Sequence, residues 1–267
     1  MNRPPLPKEH GSWAMLIVPL LLGLASAPVW RWRAVALLLA ALGFFLMRYP
    51  LATLVKTRRR RSTDRAYLWR WAAIYGGIVL LAGGWLVLAQ GLWWLAAMGI
   101  VGGLLVAFHL WLVARRQEMS VVGELSGILG LALGAPMAYY TAGSQLDRAA
   151  AVLWLINALY FGGTVFYIKL KVRQQPRQPR PQRPSQRLIR AGACLTYQTV
   201  ALSVVIVLAA LRQAPVLVPL AFVPVTVKVL WGAWHWQDKK SLSLVRLGVA
   251  EIAHAVAFAG LVIVAFR

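Results

Sequence analysis

Runs of about 20 mostly apolar residues, the length an α-helix needs to cross a bilayer, recur from end to end of this chain, with short basic segments between them. They lie approximately at 13–30, 34–55, 69–89, 92–114, 120–142, 149–168, 191–211, 215–234 and 247–266. Backbone inside lipid must satisfy its own hydrogen bonds, which leaves only helices and closed barrels. Runs this long, without strict alternation, select helices. The expected fold class is therefore all-α: a polytopic transmembrane helix bundle of about nine spans, forming a single transmembrane domain over 1–267. Composition agrees, because 60% of residues are hydrophobic, only 13% are charged and the mean hydropathy is +0.65. A soluble chain of this kind would lack the polar residues to cover its surface. Arg48 and Pro50 interrupt the second run, and the third and fourth are joined by little more than Gln90-Gly91.

Charge then orients the chain. Lys and Arg number 29 against 7 Asp and Glu, a net charge of +22. A soluble protein with that excess would suggest a nucleic-acid partner. Here the cations sit in loops, where they set topology and attract anionic headgroups, so the expected surroundings are a lipid bilayer and no nucleic acid. Twenty-two of the 29 fall on one side: the N-terminus, the 56–70 loop, Arg115 and Arg116, the 169–190 loop, and Lys239, Lys240 and Arg246. Arg31, Arg33, Arg148, Arg212 and Arg267 fall on the other. The positive-inside rule places the N-terminus in the cytoplasm and, for nine spans, the C-terminus outside. The expected location is a bacterial inner membrane.

Trp30, Trp32, Trp69, Trp71, Trp93, Trp94, Trp234 and Trp236 lie near expected interfaces, where indole rings anchor to headgroups. Ala25-Ser26-Ala27 imitates a signal-peptide cleavage site, but Pro28 follows it and more apolar runs come after, so the first run reads as an uncleaved helix. Residues 174–186 alternate Pro, Gln and Arg and read as a flexible, non-helical cytoplasmic loop.

Ionisable side chains inside apolar runs are costly and are site candidates for that reason. They are Arg48, His109, Glu124, Lys228, Glu251 and His254, with Asn157 as a buried amide. Together with Lys8, Glu9 and His10, compressed into Lys8-Glu9-His10-Gly11-Ser12 at the head of the first run, Arg48, Glu124, Asn157, Glu251 and His254 are candidates for a polar cavity. Glu251 and His254, spaced i, i+3, share a helix face. They suit a hydrogen-bonded pair, or Glu251 neutralising Arg48 or Lys228. A single Glu-x-x-His pair is too few ligands for a di-metal bundle, and no metal or other cofactor is expected. Gly123, Gly127, Gly130 and Gly134 fall on one face of the fifth run, first as a packing surface and second as room for a substrate. Cys194 is the one cysteine, so there is no disulfide framework.

Pro7-Lys8-Glu9-His10-Gly11-Ser12-Trp13, then Pro19 and Gly23, resembles the opening of the YwiC-like family of bacterial membrane proteins. Asn157-Ala-Leu-Tyr-Phe161 and Phe166-Tyr-Ile-Lys-Leu-Lys-Val-Arg173 look like the same family. The order of spans, with large polar loops after the second and sixth, is also distantly similar to UbiA-type intramembrane prenyltransferases. So is the connection from Ala114-Arg115-Arg116 to Gly134-Ala135-Pro136. That likeness implies a prenyl diphosphate held with magnesium by Asp-rich loops. Here the first loop has only Asp64, and the second reads Lys169-Leu-Lys171-Val-Arg173 with no acid. Such loops repel magnesium, yet Arg58, Arg59, Arg60, Arg61, Lys169, Lys171 and Arg173 suit direct binding of an anion or phosphate.

The expectation is a UbiA-like scaffold that binds or modifies an isoprenoid or other anionic lipid without the usual magnesium site. The alternatives are a non-catalytic assembly or partner-binding component and, last, a small-solute transporter, which would need matched broken helices in two halves. The residues name no protein partner.

Overall fold

The computed structural model describes residues 4–6, 10–27, 29, 31–56 and 62–267. It is helical throughout, with no strand among the described residues. The helices are α1 (His10–Ser26), α2 (Ala34–Lys56), α3 (Ser62–Gly84), α4 (Trp93–Ala114), α5 (Val121–Ala132) and α6 (Gly134–Gly143). After them come α7 (Arg148–Ile168), α8 (Pro184–Arg190), α9 (Gly192–Ala210), α10 (Val218–Ala221), α11 (Val223–Trp234) and α12 (Leu244–Phe266). Among the described residues, seven helical stretches are long and apolar enough to cross a membrane: 34–56, 65–89, 93–114, 121–143, 148–177, 192–210 and 244–266. The remaining two expected runs form shorter apolar helices at 11–26 and 218–234. The protein is thus a polytopic helical membrane protein.

Proline chemistry explains where the elements divide. Pro136 and Pro224 each lack an N–H, and the chain breaks shortly before each, at Leu133 between α5 and α6 and at Phe222 between α10 and α11. Pro50, by contrast, does not break the second run. It lies inside a continuous α2 of 23 residues, because lipid offers the backbone no alternative partner and favours keeping the remaining bonds. The tight turn at Gln90-Gly91 is present, with Gly91 at φ +67, a left-handed conformation that glycine adopts without a Cβ clash. Arg116, Ser144 and Arg212 take the same left-handed conformation just past α4, α6 and α9, the common way to end a helix.

The 174–186 segment is less open than its composition predicts. Lys169–Gln174 continues α7 as a π-helical turn, Gln175–Arg177 is a 3-10 turn, and Pro184 starts α8. Proline at a helix start costs nothing, since its missing N–H would be unpaired there anyway. Only 178–183 is non-helical.

The chain divides into two compact units, Met1–Trp154 and Leu155–Arg267. In the first, α1 packs on α6, α2 on α3 and α4 on α5, around a core that includes Leu16, Leu20, Phe45, Leu46, Tyr75 and Tyr140. Gly23 lets α1 approach α6 closely: a Cβ there would lie 2.1 Å from the Ala135 carbonyl oxygen. Arg33, expected as an outward loop charge, is buried instead and donates to the Thr141 carbonyl and the Ser144 hydroxyl at the C-terminal end of α6. A cation there meets the negative end of the helix dipole. In the second unit Tyr160 stacks on Phe258 with centroids 4.0 Å apart, and Phe222 closes both rings edge-on.

Candidate functional site

Three helices of the first unit bring polar groups to one place. Arg48 of α2, His109 of α4 and Ser126 of α5 line a small, partly open cleft, with Phe44, Phe45, Leu105, Val106 and Leu131 as its apolar walls. Gly127 and Gly130 supply the α5 side. The glycine face therefore divides in two. A Cβ at Gly134 would press on Leu20 at 3.3 Å, a packing contact, whereas at Gly127 the nearest atom would be an Arg48 guanidinium nitrogen at 3.8 Å. Of the others, a Cβ at Gly130 would meet Leu105 at 3.7 Å and one at Gly123 the Glu118 carbonyl oxygen at 2.6 Å, so packing accounts for most of the face.

The cleft sits near one charged edge of the unit. α4 and α5 are joined there by residues 115–120, and Glu118 of that connection pairs with Lys56 at the end of α2, N···O 2.9 Å. The hydrogen bond from Lys56 holds the Glu118 carboxyl below the usual carboxylate range, more than offsetting its partial burial. Counting residues to the helix ends at 1.5 Å each, Arg48, His109 and Ser126 lie about 7–12 Å below that edge. Ser120 caps α5 by accepting from the Gly123 N–H at 3.1 Å, and Glu124 is half-buried in that first turn, where the dipole favours an acid.

His109 and Ser126 meet the same backbone atom. Ser126 donates its hydroxyl to the Gly123 carbonyl at 2.9 Å. His109 Nδ1 lies 3.3 Å from that carbonyl. Because a carbonyl only accepts, Nδ1 is the donor in this contact. The cleft volume, ≈ 30 Å³, holds only one or two water-sized groups. It can seat the tip of a ligand, not enclose one.

The second unit treats its charges differently. Lys228 of α11 donates to both carboxylate oxygens of Glu251 of α12, at 2.8 and 2.9 Å, and lies 4.7 Å from the centre of the Tyr167 ring. Of the partners open to Glu251, the structure selects Lys228. His254 bonds its own helix instead, Nδ1 to the Ala250 carbonyl at 2.7 Å. Asn157 is fully buried on α7.

Lys171, a candidate anion ligand from its sequence, has all three ammonium hydrogens engaged by protein acceptors. They go to Gln175 Oε1 at 2.9 Å, the Gly232 carbonyl at 3.1 Å and the His235 carbonyl at 2.7 Å. Gln175 adds a bond from Nε2 to the Gly232 carbonyl at 3.0 Å. Arg187 donates to the Trp234 carbonyl at 3.0 Å. These cations cap the C-terminal end of α11, where unpaired carbonyls concentrate. Lys171→Met is expected to cost about 2–3 kcal/mol, because a charge-assisted donor is lost from buried carbonyls. Arg180→Met, at an exposed position, is the matched control. Equal melting temperatures for the two variants in detergent would rule the cap out. Lys169 and Arg173 are half-buried on the same turn. Lys8, Glu9 and Arg58 to Arg61 lie outside the described residues, as do the side chains of His10 and Asp64.

Among the described residues no three His, Cys, Asp or Glu side chains come together as metal ligands would. The signal that sequence reading passed over is Ser126, one position before Gly127 on the glycine-bearing helix. Only its neighbours on α2 and α4 mark it out.

Fold and site together define a polytopic helical membrane protein with a small cationic cleft among α2, α4 and α5. The chain belongs to the YwiC-like protein family, whose model matches residues 6–139. It is similar to the uncharacterized protein YwiC of Bacillus subtilis (strain 168), 26% identical over 174 residues, 64% of this chain and 68% of that one. It is also similar to an uncharacterized protein of Haemophilus influenzae, 26% identical over 259 residues and 96% of each chain. The matched segment contains the first motif, with Gly23, and every cleft residue; the Asn157–Arg173 stretch lies beyond it. No solved structure matches the chain, and none of these matches supports the UbiA-type likeness.

Proposed function

We propose that this protein holds an anionic amphiphile, an isoprenoid phosphate or another anionic lipid, by its headgroup at the Arg48 cleft, on the cytoplasmic side of a bacterial inner membrane. One observation carries the reading: Arg48, His109 and Ser126, from three different helices, line one largely apolar cleft about 7–12 Å below a charged helix edge. An arginine within a membrane-spanning helix is a functional-site candidate in its own right. The small volume suits a ligand whose tip is gripped while its chain stays in lipid. By the positive-inside rule the N-terminus, with Lys8, Glu9 and His10, shares the cytoplasmic face with Arg58 to Arg61, Lys169 and Arg173, which add attraction for anionic headgroups.

A nine-span UbiA-like scaffold without an acidic magnesium site would fit this ligand class. The reading claims binding; whether chemistry follows is a separate proposal, tested by lipid and quinone profiles of cells with and without the gene. An unchanged profile would dismiss the enzyme.

Binding is tested by native mass spectrometry of the protein purified from its membrane. Arg48→Gln is expected to retain anionic lipid about 10- to 100-fold less, the equivalent of one charge-assisted hydrogen bond. Retention of zwitterionic lipid should be unchanged. Equal anionic-lipid occupancy in the two proteins would refute the site.

A further inference from the structure

The second unit carries a set of cations that take no part in capping α11 and are not residues of the cleft. Arg177, Arg180, Arg183, Lys239, Lys240 and Arg246 are all exposed. Residues 174–190 and 235–246 together hold a single acid, Asp238. Composition predicts a loose arm for the first of these stretches, but the structure ties it down. Arg190 donates to the Pro179 carbonyl at 2.8 Å, Arg187 donates to the Trp234 carbonyl at 3.0 Å, and Pro181 is buried. The turn at Gln175–Arg177 packs on the turn at Lys239–Ser241, and the Gln237 N–H donates to Gln175 Oε1 at 2.9 Å. The turn bearing Arg177 is thereby brought to the turn bearing Lys239 and Lys240.

The neighbouring helices fix the level of these cations in the membrane. Ala191 alone separates α8 from α9, which is long and apolar enough to span. Arg246 lies in the first turn of α12, which is also a spanning candidate. The cations therefore stand where two spans end, at the depth of lipid headgroups. Large aliphatic side chains are exposed among them: Ile189 is 76% and Val245 77% accessible, with Leu188 and Leu244 exposed beside them. An acidic protein or a nucleic acid would meet the arginines and leave those aliphatic groups in water. A bilayer surface meets both, with anionic headgroups for the cations and acyl chains just beneath.

We propose that α8 is an interfacial helix and that residues 177–190, with Lys239, Lys240 and Arg246, form a docking surface for anionic headgroups of the bilayer. Leu188 and Ile189 reach the acyl boundary, and the pinned segment holds its arginines over the headgroups. The surface depends on membrane residence alone and uses no residue of the Arg48 cleft.

Position 189 tests both halves of the proposal. The full-length Ile189→Cys/Cys194→Ala protein is labelled there with bimane and placed in nanodiscs of dioleoyl phosphatidylcholine doped with brominated phosphatidylcholine or brominated phosphatidylglycerol. Both brominated lipids are expected to quench the label. Phosphatidylglycerol should associate about fivefold more strongly at low salt, the value of one basic side chain at a membrane surface. That preference should fall toward one in about 1 M salt, where the Debye length is about 3 Å. It should fall likewise when Arg177→Gln, Arg180→Gln and Arg183→Gln are combined. Because the two lipids are compared on one labelled protein, the comparison stands even if the triple variant fails to fold. Equal quenching by the two lipids would overturn the headgroup selection. Quenching by aqueous iodide and by neither lipid would put α8 in water and overturn the bilayer as occupant in favour of a soluble acidic partner. A preference unchanged in the triple variant would remove it from these arginines. None of these outcomes depends on Arg48→Gln, so this surface and the cleft can fail separately.

Discussion

Glu251→Leu, made alone, is expected to destabilise the second unit by about 3–5 kcal/mol, the usual cost of leaving a buried charge without its partner. The Lys228 and Glu251 side chains are only 6% and 12% exposed, so water cannot take over what the carboxylate supplied. The ammonium would keep the Tyr167 ring, a contact that offsets only part of the loss. Lys228→Met should cost a similar amount for the mirror reason. The double variant Lys228→Met/Glu251→Leu should recover most of the stability, because two apolar side chains of similar volume replace the pair without an orphan. Thermal unfolding of the four proteins in one detergent provides the cycle. If the double variant melts as low as the singles, the coupling between these residues is absent and the pair is not what holds α11 to α12.

The second large effect belongs to Gly23. A methyl group there would sit 2.1 Å from the Ala135 carbonyl oxygen, 2.7 Å from the Ala138 Cβ and 2.9 Å from the Tyr139 nitrogen. Two of those atoms are helix backbone, which cannot rotate aside. α1 and α6 would have to separate, and neighbouring side chains such as Leu20, packed on Gly134, would lose contact as they did so. Gly23→Ala is expected to cost about 3 kcal/mol, at the upper end of overpacking penalties. Small residues matter more here than in a soluble bundle, since lipid gives helices no hydrophobic incentive to associate and packing must supply it. Gly103→Ala on α4, with nothing within 4 Å, should be neutral or slightly stabilising. Monodisperse yield and melting temperature in detergent distinguish the two, and equal values would mean that α1 and α6 are not in close contact.

Gly23 also shows why a sequence motif and its physical role can be separated. Pro19 and Gly23 mark the family in the chain, and neither residue type announces whether it serves a ligand or a neighbour. The structure gives Gly23 to helix packing. Further along, the Tyr160 and Phe161 part of the second motif is core, and its Lys171 is a helix cap. The four-glycine face was visible at once from its spacing, but spacing treats all four alike. What separates Gly134 from Gly127 is that one faces Leu20 and the other Arg48, side chains on helices far away in the chain.

Helix content and membrane residence were determined by the sequence itself. The reason is that lipid solvation is summed over about 20 consecutive residues, so each run carries its own answer. Charge type, in contrast, does not state a charge's task. Read along the chain, Arg33 and Lys171 were loop cations, Lys228 was an intramembrane anomaly and Arg48 an interruption. Tertiary structure decided among them. It joined Arg33 to an acceptor 108 residues away, Lys171 to carbonyls 61 and 64 residues away, and Lys228 to an acid 23 residues away. It placed Arg48 beside His109 and Ser126 in a cleft. A hydrogen bond or an ion pair exists only once two segments meet within about 3 Å, and no window along one segment contains that distance.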